Sequence, residues 1–297
     1  MSLITTASAW TNHNLQSRKR IPTMKRASSN KIKGYQEEIT HSEVVQESMQ
    51  TLNSNSIEEI DFNLVKKNLK LNSVVVLRGL VQKEEIYKAV KKLNMNFDRN
   101  NDNPTIGESP KDIQRNFQKL LVGGHTHSGL YLTRFFRTFY NPLWEEDIYL
   151  MHNIFKLMIK IRNRCINYPE DFAMERIEKN GLWSATRIHQ YPTGGGYFAK
   201  HRDSVLTEVS KEKDLDFIQV IINMTKYGVD FQCGGAFVEI NGEKIIFEKE
   251  FDIGDIIIYD ERTTHGVDEI DANKRLDLDN ICGRLTAFVS LYKNLKK

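Results

Sequence analysis

Cysteine is scarce in this chain: three residues in 297, Cys165, Cys233 and Cys282. An odd and widely spaced set does not suggest a disulfide framework, and a reducing compartment, the cytoplasm, is the expected location. No segment approaches the roughly 20 apolar residues that a membrane-crossing helix requires, so no membrane association is expected. The first residues hold no apolar stretch of the kind that marks a secretory signal, and none is expected. Charge of one sign is also lacking. A formal net charge of +3 does not by itself call for a nucleic acid or an anionic surface, so a nucleic-acid partner is not expected. No internal repeat is visible. What is there is ordinary for a globular protein, 40% hydrophobic and 27% charged residues, in a chain long enough for one large domain or two small ones.

The small positive excess is uneven. Arg18, Lys19, Arg20, Lys25, Arg26, Lys31 and Lys33 crowd the first part of the chain. Residues 1–45 are polar and Ser/Asn-rich and have no sustained apolar period. They read as a flexible basic arm; the alternative is a patch for nucleic acid or acidic lipid. Residues 46–297 read as a single domain. Val74-Val75-Val76-Leu77 is β-branched and predicts a buried strand. Lys83–Leu93 carries Ile86, Ala89, Val90 and Leu93 at helical spacing. Residues 96–112 are rich in Asn, Asp, Pro and Gly and predict a loop. A long helix is predicted from about Trp144 to Cys165 and a shorter one from Pro169 to Glu178.

After Gly181 the pattern becomes strand-like. The runs are Trp183–Tyr191, Tyr197–Asp203, Phe217–Met224, Ala236–Ile240, Lys244–Phe247, Asp255–Tyr259, His265–Ile270 and Leu285–Tyr292, with glycine-rich turns or Asn241-Gly242 between several of them. Eight short strands with such turns predict a sandwich or barrel.

Chemistry concentrates in this second half. Residues two apart in a strand face one side, so His201 and Asp203 address a common space. His265, from a later strand start, supplies a third donor. Two histidines and one carboxylate suit a metal held on one face with its other positions open. A lone His-x-Asp is common and is usually structural, so its neighbours decide. Arg284 and Thr286 share a face of the last strand, with Leu285, Ala287 and Val289 on the other. A guanidinium pointing into a barrel calls for a carboxylate, which Arg284 can hold through paired hydrogen bonds with a further one from Thr286. The alternative is an ion pair with a nearby acid. Arg187, His189 and Tyr191 share a face of the first of the eight strands. Tyr191 and Arg187 are candidates to contact an anionic ligand, Tyr191 with a structural role as its alternative.

Other residues carry weaker signals. His125 and His127 form a second His-x-His pair, read as a loop that touches substrate rather than a zinc or copper site. Arg134, Arg137 and Tyr140 read as helix-surface packing, with an anionic substrate as the alternative. Asp260 and Glu261 are candidates to orient His265, or else solvated turn acids. Arg202 faces away, and Cys282 reads as a small buried apolar residue.

The ordered set resembles a known family. His189-Gln190-Tyr191-Pro192-Thr193-Gly194 followed by His201-Arg202-Asp203 is similar to the Tyr-x-x-Gly and His-x-Asp segments of the Fe(II)/2-oxoglutarate dioxygenase superfamily. Gly234-Gly235-Ala236-Phe237 resembles its Gly-Gly strand start, and Phe251–Tyr259 its Gly-Asp-hydrophobic strand, leading to His265-Gly266-Val267. Arg284-x-Thr286 resembles its Arg-x-Ser/Thr. The match spans roughly Trp183 to Tyr292.

The resemblance implies a mainly β fold with flanking α: a double-stranded β-helix, that is, a cupin-like jelly roll, with N-terminal helices and a core over about 183–292. It implies Fe(II) at His201, Asp203 and His265, with 2-oxoglutarate, held by Arg284, and dioxygen as co-substrates. Because Asp203 is present, the non-halogenating branch is expected. The expected function is hydroxylation of an unactivated C–H bond of a small molecule, an amino acid or natural-product intermediate. Residues 96–181, unassigned to any pattern, are expected to cover the mouth and set the substrate. The alternatives are a protein side-chain hydroxylase, with the arm as docking segment, and a cupin-like binding module without turnover. The oligomeric state is not readable from the sequence.

Overall fold

In this computed structural model the described residues are 48–71, 74–104, 110–125, 131–176 and 181–293, and they fall within one compact unit. The basic arm over residues 1–45 and His127 lie outside them.

Fourteen strands occur among the described residues: β1 (Met49–Asn53), β2 (Val74–Arg78), β3 (Phe117–Leu121), β4 (Gly124–His125), β5 (Tyr131–Arg134), β6 (Phe136–Tyr140), β7 (Leu182–Tyr191), β8 (Gly196–His201), β9 (Ile218–Asn223), β10 (Gly235–Ile240), β11 (Glu243–Ile246), β12 (Ile256–Asp260), β13 (Thr264–Ile270) and β14 (Arg284–Lys293). They form two sheets. The larger runs β1-β2-β12-β9-β14-β7-β6-β3, and the smaller runs β11-β10-β13-β8-β5-β4. Apart from the β10–β11 hairpin, which stays in the smaller sheet, the eight strands after Gly181 alternate between sheets: β7, β9, β12 and β14 in one, β8, β10, β11 and β13 in the other. This is the winding of a double-stranded β-helix, as expected.

The larger sheet is covered on both faces, which explains its near-continuous apolar runs. Successive side chains point to opposite faces. On β2 and β12, Val74, Val76, Ile257 and Tyr259 pack between the sheets with Val238, Phe247 and Phe251. Val75, Leu77, Ile256 and Ile258 pack on the other face against helices. Those helices are α1 (Phe62–Leu71), α2 (Lys83–Asn96) and α3 (His152–Cys165). A further helix, α4 (Ser204–Lys211), follows Asp203 directly and was not expected from the strand pattern.

Three expectations are corrected. The long helix begins at His152, not near Trp144. Leu150 adopts φ 58°, outside helical space, and the Asp147 carboxylate accepts the backbone N–H of Met151 at 2.9 Å and of His152 at 3.1 Å, capping the true start. No helix forms over the described part of 169–178. The Asn163 amide there donates to the carbonyls of Pro169, Glu170 and Phe172 and holds the segment in turns. Finally, 134–140 is not helical: Arg134 ends β5, Phe135 turns the chain at φ 50°, and Phe136–Tyr140 form β6. β6 pairs with both β3 and β7, so residues read as cover over the mouth instead extend the larger sheet. The buried Arg137 bonds Asp102 and Gln190 rather than lying on a helix surface.

Candidate metal centre and its cavity

β8 and β13 are antiparallel neighbours, and His201 is the register partner of His265. Their rings stand 4.4 Å apart, centroid to centroid. Asp203 lies just past the end of β8, at the start of α4, so a turn, not a strand period, brings its carboxylate beside the imidazoles. Oδ1 is 3.6 Å from Nε2 of His201, and Oδ2 is 3.7 Å from Nε2 of His265. One donor atom from each of the three residues lies within 4.8 Å of the others.

The backbone decides which nitrogens are available. Nδ1 of His201 sits 2.9 Å from the Ala199 carbonyl, and Nδ1 of His265 sits 3.1 Å from that of Thr263. A carbonyl only accepts, so each Nδ1 carries the proton and each Nε2 turns its lone pair toward Asp203. Burial and the neighbouring His201 push His265 down to about 4, so it is neutral at physiological pH. Burial alone would raise the Asp203 carboxyl, but the two imidazoles and the Tyr259 hydroxyl outweigh it and hold it below its ordinary range. Two Nε2 atoms and one carboxylate are a donor set that fits a divalent cation.

The centre opens on a cavity of about 140 Å³ between the sheets. Phe198, Phe237, Phe247, Phe251 and Phe288 supply much of its apolar wall. Arg187, His189, Tyr191 and Arg284 line it from the larger sheet. Nε of Arg187 donates to Nε2 of His189 at 2.9 Å and a guanidinium Nη donates to Ser290 Oγ at 3.0 Å. His189 therefore carries its proton on Nδ1, which is buried without a hydrogen-bond partner among the described residues. Burial, then Arg187 and Arg284, holds His189 well below its ordinary value. The Tyr191 ring lies 5.5 Å from the Arg284 guanidinium, and burial raises its phenol.

Arg284 does not meet the cavity as an uncompensated cation. Its Nε donates to Oε2 of Glu248 at 2.8 Å, with both side chains buried. The ion pair considered as the alternative for this residue is therefore present. Thr286 stands apart: its hydroxyl donates to the Ile222 carbonyl at 2.9 Å and the residue does not line the cavity. Asp260 does not orient His265. Its carboxylate accepts from Arg262, and the Thr263 carbonyl takes the orienting role. Arg202 turns away to Thr264, as expected.

No protein-family model matches the chain, and no curated protein matches it. Similarity appears among solved structures. A prolyl hydroxylase from Trichoplax adhaerens, in complex with a hypoxia inducible factor peptide fragment, aligns at 11% identity with a TM-score of 0.49, over 78% of this chain and 89% of that one. A Pseudomonas putida prolyl-4-hydroxylase aligns at 10% identity and 0.46, over 79% and 100%. An oxidoreductase of the 2OG-Fe(II) oxygenase family from Burkholderia pseudomallei aligns at 13% and 0.42, over 82% and 95%. At these scores the strand order and the donor geometry, not the likeness, carry the reading of this chain.

Two residues of the centre escaped the sequence reading. The Tyr259 hydroxyl lies 3.1 Å from Oδ2 of Asp203 and 3.0 Å from Nε2 of His265. A signal existed: in the run Ile256–Tyr259 it is the only polar side chain, and it shares the inward face with Ile257. Glu248 had none, because Glu248 and Glu250 are equivalent acids in Phe247-Glu248-Lys249-Glu250-Phe251 until the fold selects one.

Proposed function

We propose that this chain is an iron(II)- and 2-oxoglutarate-dependent oxygenase that hydroxylates an unactivated C–H bond of a small molecule. The observation that carries the reading is the convergence of two Nε2 atoms, each fixed by a carbonyl on Nδ1, with the Asp203 carboxylate at the head of an apolar cavity that also carries two arginines. Iron(II) bound there supplies the redox chemistry: with dioxygen and the 2-oxo acid it converts C–H to C–OH, releasing succinate and carbon dioxide.

The protein's own contribution is orientation and exclusion of water. His201 and His265 present fixed lone pairs, and Asp203 neutralises half of the ionic charge. Arg187 supplies positive potential for an anionic co-substrate, and Arg284, its charge paired with Glu248, adds guanidinium donors with Tyr191 beside it. The phenylalanine wall favours a compact organic substrate. These features support a small molecule over the side chain of a protein.

The test is spectroscopic. Anaerobic addition of Fe(II) and then 2-oxoglutarate to the full chain should produce a weak visible charge-transfer band that neither produces alone. Its absence at saturating metal would leave only the binding-module alternative. Succinate release above the uncoupled background, screened across metabolite pools and then peptides, identifies the substrate class.

A further inference from the structure

Glu248 reaches Arg284 through an opening made for it. It sits in a single helical turn, Glu248–Glu250, between β11 and β12, and its side chain crosses Gly235. Gly235 adopts φ +120°, and a Cβ there would lie 2.6 Å from Cγ and 2.7 Å from Cβ of Glu248. Glycine therefore serves both the backbone angle and the passage. Oε2 of Glu248 accepts the Ala236 N–H at 2.7 Å and Arg284 Nε at 2.8 Å. Its side chain is 0% exposed and that of Arg284 is 4%. Arg284 lines the cavity and Glu248 does not, so the carboxylate approaches the guanidinium from behind.

A ligand carboxylate that meets the cavity side of Arg284 thus faces an ion pair rather than a lone cation, and it brings a second negative charge close to Glu248. Both effects weaken the advantage of a charged distal end in a dry site. A methyl or other uncharged end loses nothing by them, and Phe247, Phe251 and Phe288 line the same cavity.

We propose that Glu248 is the specificity-determining residue for the distal end of the co-substrate: with Arg284 already held, 2-oxo acids lacking a second carboxylate bind nearly as well as 2-oxoglutarate. This rests on the reading of the cavity as a 2-oxo acid site. The full chain loaded with Mn(II) is titrated calorimetrically with 2-oxoglutarate and with 2-oxopentanoate, which has the same five carbons and a methyl at the distal end. The wild-type affinities should lie within about tenfold of each other, a difference of about 1.4 kcal/mol. Glu248→Gln, nearly isosteric, should tighten 2-oxoglutarate by about tenfold or more and change 2-oxopentanoate by less than about threefold. A wild-type preference for 2-oxoglutarate of about a thousandfold overturns the proposal without recourse to the variant. So does a folded Glu248→Gln protein with an unchanged ratio, which would place the distal carboxylate on Arg187. If neither acid binds either metal-loaded protein, the co-substrate reading falls and this proposal falls with it.

Discussion

The hydroxyl of Tyr259 stands 3.0 Å from Nε2 of His265, the nitrogen turned toward the metal position, and 3.1 Å from Asp203 Oδ2. Burial, and then the Asp203 charge, raises this phenol well above its ordinary value, so it remains a donor. Its single proton can serve only one of the two acceptors. A cation on Nε2 of His265 would leave Asp203 to receive it. Tyr259→Phe should therefore weaken Mn(II) affinity by about tenfold to a hundredfold, the usual effect of losing a group that orients a ligand. Metal titration by calorimetry reads this directly, and unchanged affinity would reduce Tyr259 to a packing residue.

Metal should stabilise the fold, since the unfolded chain has no preformed triangle of donors. Mn(II) at about 100 times its dissociation constant contributes about 2.7 kcal/mol, or roughly 5–10 °C in Tm for a domain of this size. Chelator should reverse the shift, and Asp203→Ala should not show it. A thermal melt with and without metal checks both. Turnover should vanish in Asp203→Ala and in His201→Ala.

Breaking the buried pair from one side leaves a charge without its partner. Arg284→Ala should cost about 3–5 kcal/mol in urea unfolding, through the stranded Glu248 carboxylate. Replacing both residues with apolar ones of similar volume, Arg284→Met with Glu248→Leu, should recover most of that loss. Additive losses in the double variant would mean that the two residues act separately.

His189 links stability to pH. Its folded value lies well below 6.5, set by burial and then by Arg187 and Arg284. The native state stays neutral where the unfolded chain takes up a proton. The stabilisation is present above pH 6.5 and is lost as pH falls below it, by about 1.4 kcal/mol per unit for one proton. Unfolding free energies at several pH values for wild type and His189→Asn should differ by this slope. Parallel curves would remove His189 from the linkage.

Much was legible before any coordinates. The eight runs after Gly181 appear as β7 through β14 because strand formation there depends on local features: β-branched residues, apolar runs, and glycine turns. His201, Asp203 and His265 could be picked out because a His-x-Asp pair, a later histidine at a strand start and the motifs around them stand in a recognisable order along the chain. Even so, Asp203 reaches the site through the turn into α4, and period-two reasoning found it by a different route. The misread stretch was 96–181. Its strands β3 and β6 gain their hydrogen bonds from each other and from β7, and its helix start was set by Asp147.

Sequence by itself determined which residue types were at hand and which local segments would be extended, because alternation, turns and β-branching act over a few residues. Only the tertiary structure decided that Glu248 rather than Glu250 meets Arg284, 36 residues away, and that Tyr259 enters the donor triangle. Those pairings follow from which strands lie side by side and which faces turn inward. The charge balance of the cavity is therefore a property of the assembled sheets.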